Sequence, residues 1–467
     1  MSEILLIQAP YTHLYGSKYT FKRHFPLGLG YLASYLMKNG SKVSLLIEPT
    51  ESEIDKYLKG IEDGSKPRMV GISSMTSSFP NAVRIAQKVK KESDAVVVLG
   101  GNHPSVLGTE ILKEFESIDC IVYGEGELTI LELYRHILNG AKSYNGIKGL
   151  IWRNNGEVIK NSPRELIEHM DGIPFPARDI VNMRDFSTHT YVGAAGRSAT
   201  MITSRGCPFS CKFCSSHWTM GRKFRTHSID YVYAEIEELV KRYSVRSIFF
   251  QDDYFTLRKD RVQEICERII RNNLRFGWAC LSRTDALDSG MVKLMKRAGC
   301  RTIVFGIESG TDKVLKEVNK KVSLEDAKRA IILCRKEGLK TSASFIIGFP
   351  FETREDMEKT CKFAKELSPT VAFFSCLVPY PGTPYYELLE TKPTRLDEWE
   401  RFVTITPGYS MVEGLSSKEL GKLALKYHLK FYFRFSQIWR MLSVSSFSEL
   451  FQYLKSGIYT IKRLFGR

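Results

Sequence analysis

The chain has 467 residues, 43% hydrophobic and 26% charged, with a formal net charge of +16. That length supports two or three domains, and that balance excludes a disordered chain. Ten cysteines, none before Cys120 and none after Cys376, exclude a disulfide-built scaffold and fit a reducing compartment.

The opening Met1-Ser-Glu-Ile-Leu-Leu-Ile reads as a first strand rather than a signal peptide, and no apolar run is long enough to span a bilayer. A cytoplasmic protein is expected. Residues 1–140 alternate short apolar strands with helical stretches: strands at 4–8, 43–47, 69–73 and 95–99, helices at 27–38 and 82–91. That rhythm predicts a doubly wound parallel α/β sheet whose ligands gather at the carboxyl ends of the strands. Two of those ends carry small residues, Ser73-Ser-Met75 and Gly100-Gly101-Asn-His103, and the glycines permit a close backbone approach. Residues 141–195 are turn-rich, with a hairpin expected around Asn155-Gly156 and then an extended proline-bearing run near 173–177, and read as an interdomain linker.

From residue 196 to about 390 the strand–helix rhythm returns. Six strands are predicted at 199–203, 247–250, 277–281, 302–307, 342–347 and 372–377, which suits a partial (β/α)6 barrel. Polar or glycine-bearing elements follow the later strands: Gln251-Asp252-Asp253, Arg283, Glu308-Ser309-Gly310, Gly348-Phe-Pro and Pro379-Tyr-Pro-Gly. Singly, such elements are helix caps or turns; together at one rim they mark the chemistry-bearing face of a barrel. The first strand leads into Gly206-Cys207-Pro-Phe-Ser-Cys211-Lys-Phe-Cys214. Three thiolates on one tight loop can hold three irons of a cubane cluster, leaving one iron open where four cysteines would close it. The bland alternative is a Cys3His zinc site completed by His217. The other seven cysteines show no paired spacing and read as small buried hydrophobes.

The last region, 391–467, is predicted helical. From Lys426 to Arg467 it holds eight Lys or Arg and one acidic residue, Glu449, among many aromatics. Two readings stand: a membrane-surface segment, or a helix packed on the barrel with its lysines in water.

The C-x3-C-x2-C loop, with Phe213 before its last cysteine and the five rim elements below it, resembles the radical S-adenosylmethionine (SAM) superfamily over about 190 residues. The resemblance implies a [4Fe–4S] cluster on Cys207, Cys211 and Cys214, whose open iron chelates SAM, and reductive cleavage of SAM to a 5′-deoxyadenosyl radical. By position it places Asp252 and Asp253 at the SAM amino group and Glu308 and Ser309 at the ribose. Gly348 falls in the glycine motif beside the adenine, with Ser344 replacing that motif's first glycine. Arg283 is either a partner of the SAM carboxylate or half of a structural ion pair.

Ser73-x-Met75 followed by Gly100-Gly101 resembles the latter part of the cobalamin-binding signature. The earlier part survives only as His13-x-x-Gly16, without the aspartate that would orient the imidazole. His13 is therefore either a lower axial ligand or an ordinary loop histidine, and His103 belongs to the loop around the cofactor. Cobalamin domain plus barrel resembles the cobalamin-dependent radical SAM proteins of the class-B methyltransferase-like group. That implies cluster, SAM and cobalamin as cofactors, a small-molecule or lipid substrate, and a reductant such as flavodoxin or ferredoxin. Methylation of an unactivated carbon is expected; ring formation or oxidation without methyl transfer is the alternative. A tRNA methylthiotransferase would need cysteines in its first domain, and nucleic acid is not expected as a partner. On the membrane-surface reading of the basic tail, the expected cytoplasmic protein would lie peripheral to the inner face of the membrane.

Overall fold

The computed structural model describes residues 3–11, 24–59, 66–186, 197–404, 407–445 and 450. Its first sheet has seven strands: β1 (Ile4–Gln8), β2 (Val43–Ile47), β3 (Met69–Ser73), β4 (Val96–Gly100), β5 (Cys120–Val122), β6 (Leu150–Asn154) and β7 (Glu157–Lys160). The order is β2-β1-β3-β4-β5-β6-β7, parallel through β5 and antiparallel beyond it. The inner strands β1 and β3 are apolar runs buried on both faces, as strands covered by helices on either side must be. The β6–β7 hairpin turns at Asn155-Gly156, both at positive φ, and adds to the edge of this sheet. Part of residues 141–195 is thus sheet rather than linker: Trp152 is 1% exposed and anchors the hairpin in the first core.

The second sheet has six parallel strands, β8 (Ser198–Met201) and, beyond the short antiparallel ribbon β9 (Ser204–Arg205) with β10 (Arg225–Thr226), β11 (Ser247–Phe250), β12 (Gly277–Ser282), β13 (Cys300–Glu308), β14 (Lys340–Ile347) and β15 (Val371–Cys376). They pair in chain order with β8 and β15 at the two edges, an open partial barrel. The α/β architecture expected from the sequence is present in both halves.

The tail resolves in favour of packing for its first helix. Helix Ser417–Tyr432 lies on β15, where the Tyr432 hydroxyl accepts from Ala372 N and donates to Ala372 O, and His428 Nε2 accepts from Phe374 N. An open barrel edge leaves unpaired backbone groups, and these side chains satisfy them. Among the described residues no helix is long and apolar enough to cross a membrane.

Candidate active site

The cysteine loop leaves the barrel rim at β9 and returns at β10. Gly206 has φ +86°, and a Cβ there would stand 2.3 Å from the Lys223 carbonyl, so only glycine lets the two stems close. The loop rests on the segment after β13: Lys212 N donates to Val318 O, and Asn319 Nδ2 to Ser210 O and Oγ. Cys207, Cys211 and Cys214 are half-buried free thiols. Burial raises the Cys207 and Cys211 thiols; Lys320 and Arg283 pull Cys211 the other way, as Arg283 does Cys207. Among the described residues no three His, Cys, Asp or Glu side chains converge closely enough for a single ion.

The rim residues divide by what they touch. Asp252 is fully buried, and its Oδ1 accepts from Thr203 N, Thr203 Oγ1 and Ser204 Oγ, tying β11 to the stem of the loop. Asp253 opens to the rim beside Cys207, and burial, together with Asp252, pushes its carboxyl up to about 6. The Arg283 fork is spent: it grips Asp285 through two nitrogens, donates to the Lys320 and Lys321 carbonyls, and lies 3.7 Å from the centroid of Phe209. Through these contacts Arg283 ties the strand end to the segment on which the loop rests.

Glu308 ends β13 at φ +70° and pairs with Lys320 at 2.7 Å, both nearly buried. A side chain at Gly306 would stand 2.3 Å from its carboxylate, so Gly306 makes that room. Ser309 turns inward: it is fully buried, with its hydroxyl toward Thr311 and Thr360 rather than the rim. Gly348 has φ +95°, and the missing side chain leaves space for Leu420 of the C-terminal helix. Ser344 points its hydroxyl to the Phe305 carbonyl. Sequence reasoning missed Glu352, whose Oε2 accepts from Gly348 N and Phe349 N while Oε1 is buried without a partner. Burial pushes this carboxyl up to about 7 despite those two amides. An acid four residues beyond a turn glycine was the available signal.

The carboxyl ends of β3 and β4 form the second half of the site. Gly101 has φ +106°, and a Cβ there would stand 2.4 Å from the Ser74 carbonyl. Ser73 and Gly100 pair as the last residues of their strands, and Met75 just beyond is 43% exposed. His103 is 1% exposed, held between the rings of Phe79 at 4.4 Å and Trp399 at 4.6 Å. Both of its nitrogens lack a hydrogen-bond partner, as does the buried Ser74 hydroxyl, and burial pushes the imidazole down to about 3. Orphaned buried donors beside a glycine-only approach fit a polar ligand entering the sheet end, as a cobalamin nucleotide tail would. His13, which the sequence leaves as either an axial ligand or an ordinary loop histidine, lies outside the described residues.

The two halves are joined at the loop itself. Thr219 Oγ1, five residues past Cys214, donates to Asn102 Oδ1 beside the Gly-Gly turn. A buried four-charge cluster lies below: Arg205 reaches Glu125 at 2.9 Å and Glu127 at 2.6 Å, and Arg225 reaches Glu125 at 2.7 Å. Arg225 also donates to Met220 O at the far end of the loop. Both stems of the cysteine loop are thereby fixed to one turn of the first domain. Burial works to raise the Glu127 carboxyl, and Arg205 overrides it and holds it below its usual value. Glu125 and Glu127 stand in the Tyr123-Gly-Glu-Gly-Glu run just after β5, and their arginine partners lie 78 to 100 residues away in the chain.

Residues 201–364 match the radical SAM superfamily, and residues 20–134 match the B12-binding domain. An uncharacterized methyltransferase of Pyrococcus horikoshii is 37% identical over 414 residues, covering 88% of each chain. The anaerobic magnesium-protoporphyrin IX monomethyl ester cyclase of Rubrivivax gelatinosus is 32% identical over 390 residues, 82% of this chain and 69% of the cyclase. The solved radical SAM methyltransferase TsrM of Kitasatospora setae shares the fold at a TM-score of 0.68 and 21% identity, over 82% of this chain and 74% of its own. Three thiols on one loop, a glycine-lined sheet end beside them and these likenesses agree: the chain belongs to the cobalamin-dependent radical SAM enzymes of the methyltransferase-like group, whose cofactors are a [4Fe–4S] cluster, SAM and cobalamin.

Proposed function

We propose that this enzyme methylates an unactivated carbon of a small-molecule or lipid substrate held between its two domains. The observation that carries the reading is the contact of Thr219 with Asn102, which sets the cysteine loop against the Gly-Gly turn. When bound, the cluster and SAM supply a 5′-deoxyadenosyl radical and the corrinoid supplies a methyl group; the protein supplies position and shelter. In this assignment Cys207, Cys211 and Cys214 hold the cluster. Asp253 faces the SAM amino group, Glu308 the ribose and Gly348 the adenine side. Asp252, Ser309 and Arg283 act from behind by fixing the loop and the strand ends. Ser74, Gly101 and His103 receive the corrinoid tail, with Ser73, Met75 and Gly100 at its edge.

The test is product analysis from methyl-labelled SAM under reducing, anaerobic conditions with cell extract as the substrate source. Methyl transfer predicts S-adenosylhomocysteine and 5′-deoxyadenosine together, with label in an extracted small molecule. Deoxyadenosine alone favours the second reading, ring formation or oxidation, which the likeness to the cyclase supports.

The membrane-surface reading keeps one support. On helix Phe435–Val444 the residues Phe435, Ile438, Trp439 and Leu442 share one face and are 86%, 46%, 66% and 54% exposed. Lys455, Lys462, Arg463 and Arg467 follow in sequence. An apolar stripe followed by cations matches an anionic bilayer surface, such as the inner face of a cytoplasmic membrane. Cosedimentation with phosphatidylglycerol vesicles should fall sharply in Trp439→Ser/Phe435→Ser; unchanged cosedimentation removes this partner.

A further inference from the structure

The face of the barrel opposite the cysteine loop holds an open surface cavity of about 510 Å³, its arginines exposed to solvent, at the amino ends of β11, β12 and β13. Four arginines line it, Arg246, Arg275, Arg297 and Arg301, and no acidic residue does. Among the described residues, none of the four has a carboxylate in ion-pair contact. Exposed arginines elsewhere in the chain do find acids: Arg242 holds Glu238 and Asp179, and Arg258 holds Asp260.

Two of the four are placed by neutral means. Asn273, at φ +51°, accepts from Arg275 Nε, which leaves the two terminal nitrogens of that fork uncommitted to it. The stem of Arg301 crosses Gly277, where a side chain would stand 2.3 Å from Nε. Four guanidinia around one concavity repel one another and concentrate positive potential there, a cost that an anion removes. The amino face of a parallel barrel carries fold stability and not its chemistry, and six residues of β12 separate this cavity from the rim by roughly 20 Å. Neither the cluster loop nor the corrinoid end of the first sheet touches it.

We infer that this cavity is a second ligand site that takes a phosphorylated small molecule, its phosphates spanning two or more of the four guanidinia. Guanidinium forks match phosphate oxygens in pairs, and the volume falls within the range of small-ligand sites.

The test is calorimetric titration of the full-length, anaerobically purified protein with inorganic pyrophosphate, and with citrate as a carboxylate of comparable charge. The site predicts saturable, one-to-one pyrophosphate binding that weakens at least ten-fold in Arg275→Ala and again in Arg301→Ala. Exposed Lys418→Ala, which loses the same charge far from the cavity, should leave the affinity unchanged. Deoxyadenosine formation from SAM should be unaffected in all three variants. The inference fails if binding does not saturate, if Lys418→Ala weakens it as much as Arg275→Ala, or if citrate binds as tightly as pyrophosphate. Single-stranded RNA that binds with the same arginine dependence while pyrophosphate does not also overturns it.

Discussion

Replacing Arg205 by Met should do more harm than its distance from any reacting atom suggests. The guanidinium side chain is 4% exposed and serves two carboxylates of the first domain, Glu125 at 2.9 Å and Glu127 at 2.6 Å. It also sits 5.2 Å from the centroid of Tyr31, another residue of that domain. Its loss leaves Glu125 paired with Arg225 but strands Glu127, 5% exposed, without an ion-pair partner. Stranding one partner of a buried pair costs about 3–5 kcal/mol. The double variant Arg205→Met/Glu127→Gln removes the stranded charge and keeps the neutral Arg225–Glu125 pair, so it should recover roughly half of that loss, about 2 kcal/mol. Urea denaturation followed by circular dichroism measures the stability, and iron retained after anaerobic reconstitution measures the loop. The single variant should lose both, with iron returning in part in the double variant. A single variant within 1 kcal/mol of wild type, or a double variant no better than the single, would refute the view that this cluster holds the loop to the first domain.

Other outcomes follow from separate parts of the molecule. Gly101→Ala introduces a side chain at φ +106° against the Ser74 carbonyl; the backbone strain alone is worth roughly 1–3 kcal/mol. Cobalt bound after reconstitution with hydroxocobalamin should fall sharply while iron is retained. His103 is neutral in the fold, pushed down to about 3, and takes up a proton far more readily once unfolded. The unfolded chain therefore binds the extra proton between pH 3 and about 6.5, so this group makes the cofactor-free protein less stable as pH falls. The wild-type minus His103→Leu stability difference should drop by about 2 kcal/mol from pH 7.5 to pH 5; a flat difference would mean that the imidazole is not buried neutral. Tyr432→Phe removes the hydroxyl that serves both backbone groups of Ala372, and thermal unfolding should show a loss of about 1–3 kcal/mol.

The parallel strands and the cysteine loop were legible because they are local. Apolar runs bounded by turn residues mark buried strands, and β1, β2, β3 and β11 match their predicted bounds. Three cysteines within eight residues need no tertiary information either. What stayed hidden depends on contacts between distant residues. The hairpin at Asn155-Gly156 was legible from its turn, but its place on the edge of the first sheet was not, because its pairing partner, Cys120–Val122, lies some thirty residues earlier. Arg283 read equally well as a ligand group or a brace, since only the fold brings the Lys320 and Lys321 carbonyls to it. Ser309 carries a rim position in sequence, yet the twist of β13 at Glu308 points its hydroxyl to Thr360. Trp399, which closes over His103, lies in a stretch with no motif at all.

Whether one loop of three thiols and one glycine-lined sheet end hold two cofactors side by side is decided by anaerobic reconstitution with iron, sulfide and hydroxocobalamin, followed by desalting and assay of iron, cobalt and 5′-deoxyadenosine formed from SAM with a reductant. Four irons and about one cobalt per chain are expected, with deoxyadenosine that disappears in Cys211→Ala while cobalt remains. Bound zinc without deoxyadenosine, or deoxyadenosine that persists in Cys211→Ala, would contradict that arrangement.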